Sequence, residues 1–150
     1  MSLQVPDAEF HCFTSHELPK PKGRPLALHS HLKQRKLFQE LFAKCTGVIV
    51  STGNETIWEA VCRGVPIVTM PTSGHAEQSL NAKIHAANFP NLLRARTRLS
   101  KPDIDWLISF EPTAEARAES SQLRQRVAGL FEQGCPILEP TSLYTVTGQS

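Results

Sequence analysis

Apolar positions along the chain fall into short runs separated by polar turns, and the spacing within each run predicts its element. Phe10–Thr14 alternates apolar and β-prone side chains and reads as a strand, with Leu26–Leu28 as a second, shorter one. Pro19, Pro21, Gly23 and Pro25 interrupt regular structure between them. Leu37, Phe38, Leu41, Phe42 and Cys45 recur at helical spacing, which predicts an amphipathic helix over Leu32–Cys45. Lys33, Lys36, Gln39, Glu40 and Lys44 form its polar face.

Val48-Ile49-Val50 is a continuous apolar run and predicts a short strand buried on both faces. Ser51–Asn54 is a turn, and Glu55–Arg63 a helix that buries Ile57, Ala60 and Val61. Gly64 suits the left-handed position just past a helix end. Val65–Met70 reads as the next strand, with Pro66 near its start, where a missing donor is tolerated. A loop over Pro71–His75 leads into a helix over Ala76–Asn88. Pro102 opens a helix to about Ser109. Thr113 caps a longer one to Gln133, with Glu115 in its first turn and Leu123, Val127, Leu130 and Phe131 as its apolar stripe. The tail over 136–150 has turn residues and no period, so residues 1–135 are expected to make the folded part and the tail to be loose.

Strands alternating with helices predict an α/β fold, a Rossmann-like parallel sheet with helices on both faces. Ligands of such sheets bind beyond the carboxyl ends of the strands. The turns at Ser51–Asn54 and Pro71–Gln78 both follow strands and belong at that end. No internal repeat is present.

At 150 residues the chain is long enough for one lobe with a real core, and its 40% apolar and 20% charged residues suit a globular protein. A net charge of +2 argues against nucleic acid as the main partner. The apolar runs are too short to span a bilayer, and the N-terminus lacks a secretory layout, so cytoplasmic residence is expected. Cys12, Cys45, Cys62 and Cys135 make no CxxC pair, and no Cys/His cluster has zinc-finger spacing, so no metal site is expected and the thiols are expected to be reduced.

The chemistry concentrates in Ser51–Ala82. Gly53 lets a ligand approach the backbone closely. Asn54 or Thr56 can cap the helix that follows. The N–H groups at its start, roughly Glu55 to Ile57, form an anion site suited to a diphosphate, with the Thr56 hydroxyl as a further donor. Glu59, one turn on, can accept hydrogen bonds from both hydroxyls of a ribose. Glu77 and Gln78 offer acceptors and donors to sugar hydroxyls, and Asn81 can support them or cap the loop. Taken singly, each has a plainer role: an ordinary turn, a solvated helix carboxylate, or first-turn residues that complement the helix dipole. His75 and His85 read as solvated or packed.

The run G-x-x-T-x-x-E-A-x-x-x-G-V-P-I-V-x-x-P from Gly53 to Pro71, followed by E-Q-x-x-N-A at Glu77–Ala82, resembles the donor-site signature of glycosyltransferases with the GT-B fold. It is similar to UDP-glycosyltransferases and to the enzyme that adds N-acetylglucosamine to the lipid-linked peptidoglycan precursor. The resemblance implies that Ser51, Gly53, Asn54 and Thr56 lie along the donor diphosphate. It further implies that Glu59 binds the ribose and that Glu77 and Gln78 contact the transferred sugar. Gly64, Val65 and Pro66 match the structural helix-to-strand junction. The base would be held near His31 or Leu32. The donor would be a UDP-sugar, with no cofactor and no catalytic residue within this stretch.

Two departures qualify the match. Ser51 stands where the plant-type signature has a His, and Asn54-Glu55 replaces its Trp-Asn pair, which puts a carboxylate beside the proposed phosphates. The resemblance also implies a second lobe or a partner subunit that binds the acceptor and supplies the base. The chain is therefore expected to be a C-terminal donor lobe, N-terminally truncated, or a natural single-lobe subunit. It would meet a membrane only through a lipid-linked acceptor, and a homodimer is possible. Alternative readings are a nucleotide-sugar 2-epimerase fragment and a non-catalytic binding module on the same fold.

Overall fold

The computed structural model describes residues 8–15 and 27–132, and the tail beyond Pro136 lies outside them. The chain divides between Cys45 and Thr46 into two compact units. In the first, β1 (Glu9–Thr14) and β2 (Ala27–Leu32) pair in parallel, Glu9 with Ala27 through Thr14 with Leu32. β2 runs further than the apolar Leu26–Leu28 stretch suggested, because His29, Ser30 and His31 continue the ladder without any apolar signature. For the same reason α1 (Arg35–Phe42) starts later than expected: Leu32 is still paired in the sheet. Phe38 stacks on the buried Phe42 at 5.4 Å and meets the Phe13 ring edge-on at 5.2 Å, which holds α1 to the strands.

The second unit is a β-α-β-α-β run. Its parallel sheet has the order β3 (Val48–Val50), β4 (Ile67–Thr69), β5 (Leu93–Ala95), with α2 (Asn54–Cys62) and α3 (Ala76–Asn88) as crossovers. Crossovers of this kind are right-handed, which puts both helices on one face. α4 (Lys101–Ile108) also packs on β4, and α5 (Ala114–Glu132) packs along α2. β4 is the central strand and is buried throughout. Its Ile67 and Val68, on opposite faces, are fully buried, as are Ile57, Ala60 and Val61 of α2, and α2 and α4 both contact the strand; Leu92, Leu93, Ile104 and Leu107 complete the buried apolar set. The α/β, Rossmann-like class read from the alternating pattern holds.

Three details differ from expectation. β3 is not buried on both faces: it lies at the edge of its sheet, and Ile49 is 38% exposed. In α5, Leu123 is buried but Leu130 is 40% exposed, so the packed stripe is shorter than the sequence pattern. β5 carries no strand pattern in the sequence, because two of its three residues, Arg94 and Ala95, sit inside the basic run Arg94–Arg98. That run has a structural purpose. The Arg96 Nε donates to Asp103 Oδ1 at 2.9 Å, and Arg94 Nη1 lies 3.7 Å from the same oxygen and stacks over Trp106. Ser100 donates to Asp103 Oδ2 from its hydroxyl at 2.6 Å and its N–H at 3.3 Å. Burial alone would raise the Asp103 pKa, but these hydrogen bonds and the Arg96 charge outweigh it and hold the carboxyl below its ordinary range.

Gly64 adopts φ +70 and ends α2 as expected. Thr113 Oγ1 accepts the Ala116 N–H at 3.1 Å and caps α5 as expected. Among the described residues no helix is long and apolar enough to cross a membrane.

Candidate functional site

All eight residues picked from the sequence lie in the second unit, on the turns and helices that follow β3 and β4, with Ser51 and Gly53 directly after the carboxyl end of β3. Two contacts tie this end together. Thr52 Oγ1 and Thr69 Oγ1, both buried, are 3.2 Å apart and join the residues that follow β3 to the end of β4. The Met70 N–H donates to the Val50 carbonyl at 2.8 Å and extends the ladder by one bond.

The first turn is tighter than its composition suggested. The Gly53 N–H donates to the Ser51 carbonyl at 2.6 Å, an i to i+2 turn. Gly53 then serves as the N-cap of α2, with φ −90 and ψ 123 and no side-chain cap. Asn54 and Thr56 therefore do not cap the helix, because both lie inside it. The Ile57 N–H donates to the Gly53 carbonyl at 3.3 Å, so the expected donor set shifts back by one residue. The N–H groups of Asn54, Glu55 and Thr56 are those the helix geometry leaves without an intrahelical partner. Gly53 has room for a side chain: a Cβ would meet nothing nearer than the Ser51 carbonyl at 4.0 Å, and its φ is open to any residue. The fold itself does not require glycine there.

The side chains divide into occupied and available. Asn54 Oδ1 lies 2.7 Å from Nε2 of His85 on α3. His85 is buried, which lowers its pKa, and because an amide oxygen only accepts, Nε2–H is the donor to Asn54. Asn54 Oδ1 is thus committed to joining α2 and α3. This role of His85 has no local signal in the sequence, because its partner lies 31 residues away. Thr56 is a buried residue at 8% exposure, and its N–H is one of the three at the helix start. Glu55 is exposed, where water screens its charge.

Glu59 is half-buried one turn along α2, where burial pushes its carboxyl pKa up and the Arg63 charge opposes the shift only in part. Burial likewise raises the thiol of neighbouring Cys62, with Arg124 opposing and Glu59 reinforcing the shift.

In the second turn Gln78 has the loop-holding role that Asn81 was a candidate for. Its Oε1 accepts the Thr72 N–H at 2.8 Å, which leaves the Nε2 amide to donate to a ligand. Gly74, at φ +84, makes the bend that brings Thr72 back over the start of α3. Glu77 is exposed and Asn81 half-buried on the same helix. A cavity of about 170 Å³ opens at the other end of α2, lined by Arg63, Gly64, Ser120 and Arg124 among others and by none of the eight candidate residues.

No protein-family model, curated protein or solved structure matches this chain.

Proposed function

We propose that the chain is the donor-binding lobe of an inverting glycosyltransferase of GT-B type, acting in the cytoplasm on a nucleoside-diphosphate sugar. The observation that carries this reading is the start of α2. Three helix N–H groups, of Asn54, Glu55 and Thr56, sit at the carboxyl end of a parallel sheet, behind a glycine whose missing Cβ the fold does not use. Such a start attracts a diphosphate through the helix dipole and its unpaired donors, and a bare glycine backbone lets the phosphates approach.

Glu59 then accepts the two ribose hydroxyls. Glu77 accepts from the sugar, the Gln78 amide donates to it, and Asn81 supports both. An acceptor hydroxyl, deprotonated by a base on another lobe or subunit, attacks the anomeric carbon as its bond to the diphosphate breaks. The α2 N–H groups stabilise the charge that develops on the departing diphosphate. Ser51 contributes a hydroxyl but no charge, so the helix start carries most of the anion binding.

Calorimetric titration of UDP, a UDP-hexose and UDP-N-acetylglucosamine into the folded chain tests the reading. The expected result is one site, with the sugar nucleotides bound at least as tightly as UDP. Absence of heat with any nucleoside diphosphate would overturn it. The exposed carboxylate of Glu55 beside the phosphate position favours one second reading, a sugar-nucleotide binding module without turnover. Adding the acceptor-binding partner and finding no transfer would favour that module.

A further inference from the structure

Away from the candidate donor site, the two-stranded unit gathers four side chains able to bind metal. His11 on β1 pairs in register with His29 on β2, and Phe13 with His31. Residues two apart on a strand share a face, so Glu9 and His11 lie on the face that carries His29 and His31. The His11 ring stacks on His29 at 4.8 Å and on His31 at 5.2 Å, nearly parallel to both. One ligand atom from each of Glu9, His11 and His29 lies within 4.8 Å of the other two, and His11 Nε2 is 3.7 Å from Glu9 Oε2. Ligand atoms on a tetrahedral zinc are about 3.4 Å apart, given metal–ligand bonds of about 2.0–2.1 Å. Closing the set around one cation therefore draws these atoms together by about 1 Å and turns the His29 ring out of its stack with His11, so that the two in-plane lone pairs converge.

We propose that Glu9, His11 and His29 bind a divalent transition cation, Zn²⁺ being the best fit, and that His31 is a positioning residue for that site. Two imidazoles and a carboxylate with a fourth position left to water suit zinc, whereas Mg²⁺ and Ca²⁺ prefer all-oxygen shells. His11 Nδ1 lies 2.9 Å from His31 Nε2. With His31 accepting the Nδ1 proton, the lone pair of His11 is left on Nε2, the nitrogen that faces Glu9; a second hydrogen bond of this kind orients most metal-binding histidines. In the sequence the signal is split into Glu9-x-His11 and His29-x-His31, each unremarkable alone, and parallel pairing brings the halves together. A bound cation would staple β1 to β2.

The test uses the full chain. Zn²⁺ is titrated against a chelating indicator, and Co²⁺ is added as a spectroscopic substitute. The expected result is one ion per chain with micromolar or tighter affinity, and cobalt bands of tetrahedral intensity. Glu9→Gln, His11→Asn and His29→Asn should each weaken binding at least tenfold while circular dichroism stays unchanged. His31→Leu should weaken it about 10–100-fold, whereas His31→Gln, which keeps an acceptor for His11, should restore most of the loss. His75→Asn, outside the cluster, should change nothing. A folded chain that takes up no ion, or one whose affinity survives both His11→Asn and His29→Asn, would overturn the site. Equal affinity of His31→Leu and wild type would remove His31 from it.

Discussion

Replacing Glu59 by glutamine separates a ligand-binding role from a structural one, because the two predict opposite signs for different observables. The substitution keeps the shape and removes the charge. A carboxylate that accepts from two ribose hydroxyls makes two charge-assisted bonds of about 1.5–3 kcal/mol each, against about 0.5–1.5 for neutral ones. The difference is about 1 kcal/mol per bond, hence ~2 kcal/mol in all, or roughly a 30-fold rise in the Kd for UDP. Stability should move the other way. Burial raises the Glu59 pKa in the folded chain above its unfolded value. Over the interval between the two values the folded chain binds the proton more readily, so stability falls as pH rises, and at neutral pH the ionised carboxylate disfavours the fold. An uncharged amide in its place would remove that penalty. Calorimetry should therefore show weaker UDP binding while the thermal midpoint at pH 7 stays level or rises. An unchanged Kd would refute the ribose contact. A joint fall in affinity and midpoint would make Glu59 a structural residue whose loss disturbs the site indirectly.

Three further outcomes follow from buried polar contacts. Asp103→Ala should destabilise the chain by about 1–3 kcal/mol, since it removes the buried acceptor of Ser100 and Arg96 while the arginine charges left behind are partly solvated; a urea midpoint within error of wild type would show that these contacts contribute nothing. His85, whose folded pKa lies below its ordinary value, takes up its proton more readily when unfolded. Stability should thus drop as pH falls below about 6.5, and His85→Gln, which retains a donor for Asn54, should flatten this part of the denaturation profile; an unaltered slope would contradict the assignment. Thr52→Val should cost about 1–3 kcal/mol by leaving the Thr69 hydroxyl unpaired, whereas the double change Thr52→Val with Thr69→Val should recover most of it in thermal unfolding, and failure to recover would mean the pair is not coupled.

Local pattern was enough to establish α2, α3, the left-handed Gly64 and the placement of both polar turns after strands. Those features rest on contacts within a few residues: apolar spacing along one helix, a glycine where φ is positive, a hydroxyl capping the next turn. It also put Gly53 and Glu59 on one turn-and-helix segment and the Glu77-Gln78 pair at the start of the next, because spacing within a helix is a local property. Which polar groups remain available to a ligand was settled by packing between elements. Asn54 is held by His85, and Gln78 spends its carbonyl oxygen on Thr72. The folded chain alone also revealed β5 within an arginine run and the histidines that meet across β1 and β2. Hydrogen bonds and ion pairs between elements depend on strand order and register, and residues distant along the chain carry no local pattern to announce whom they will meet.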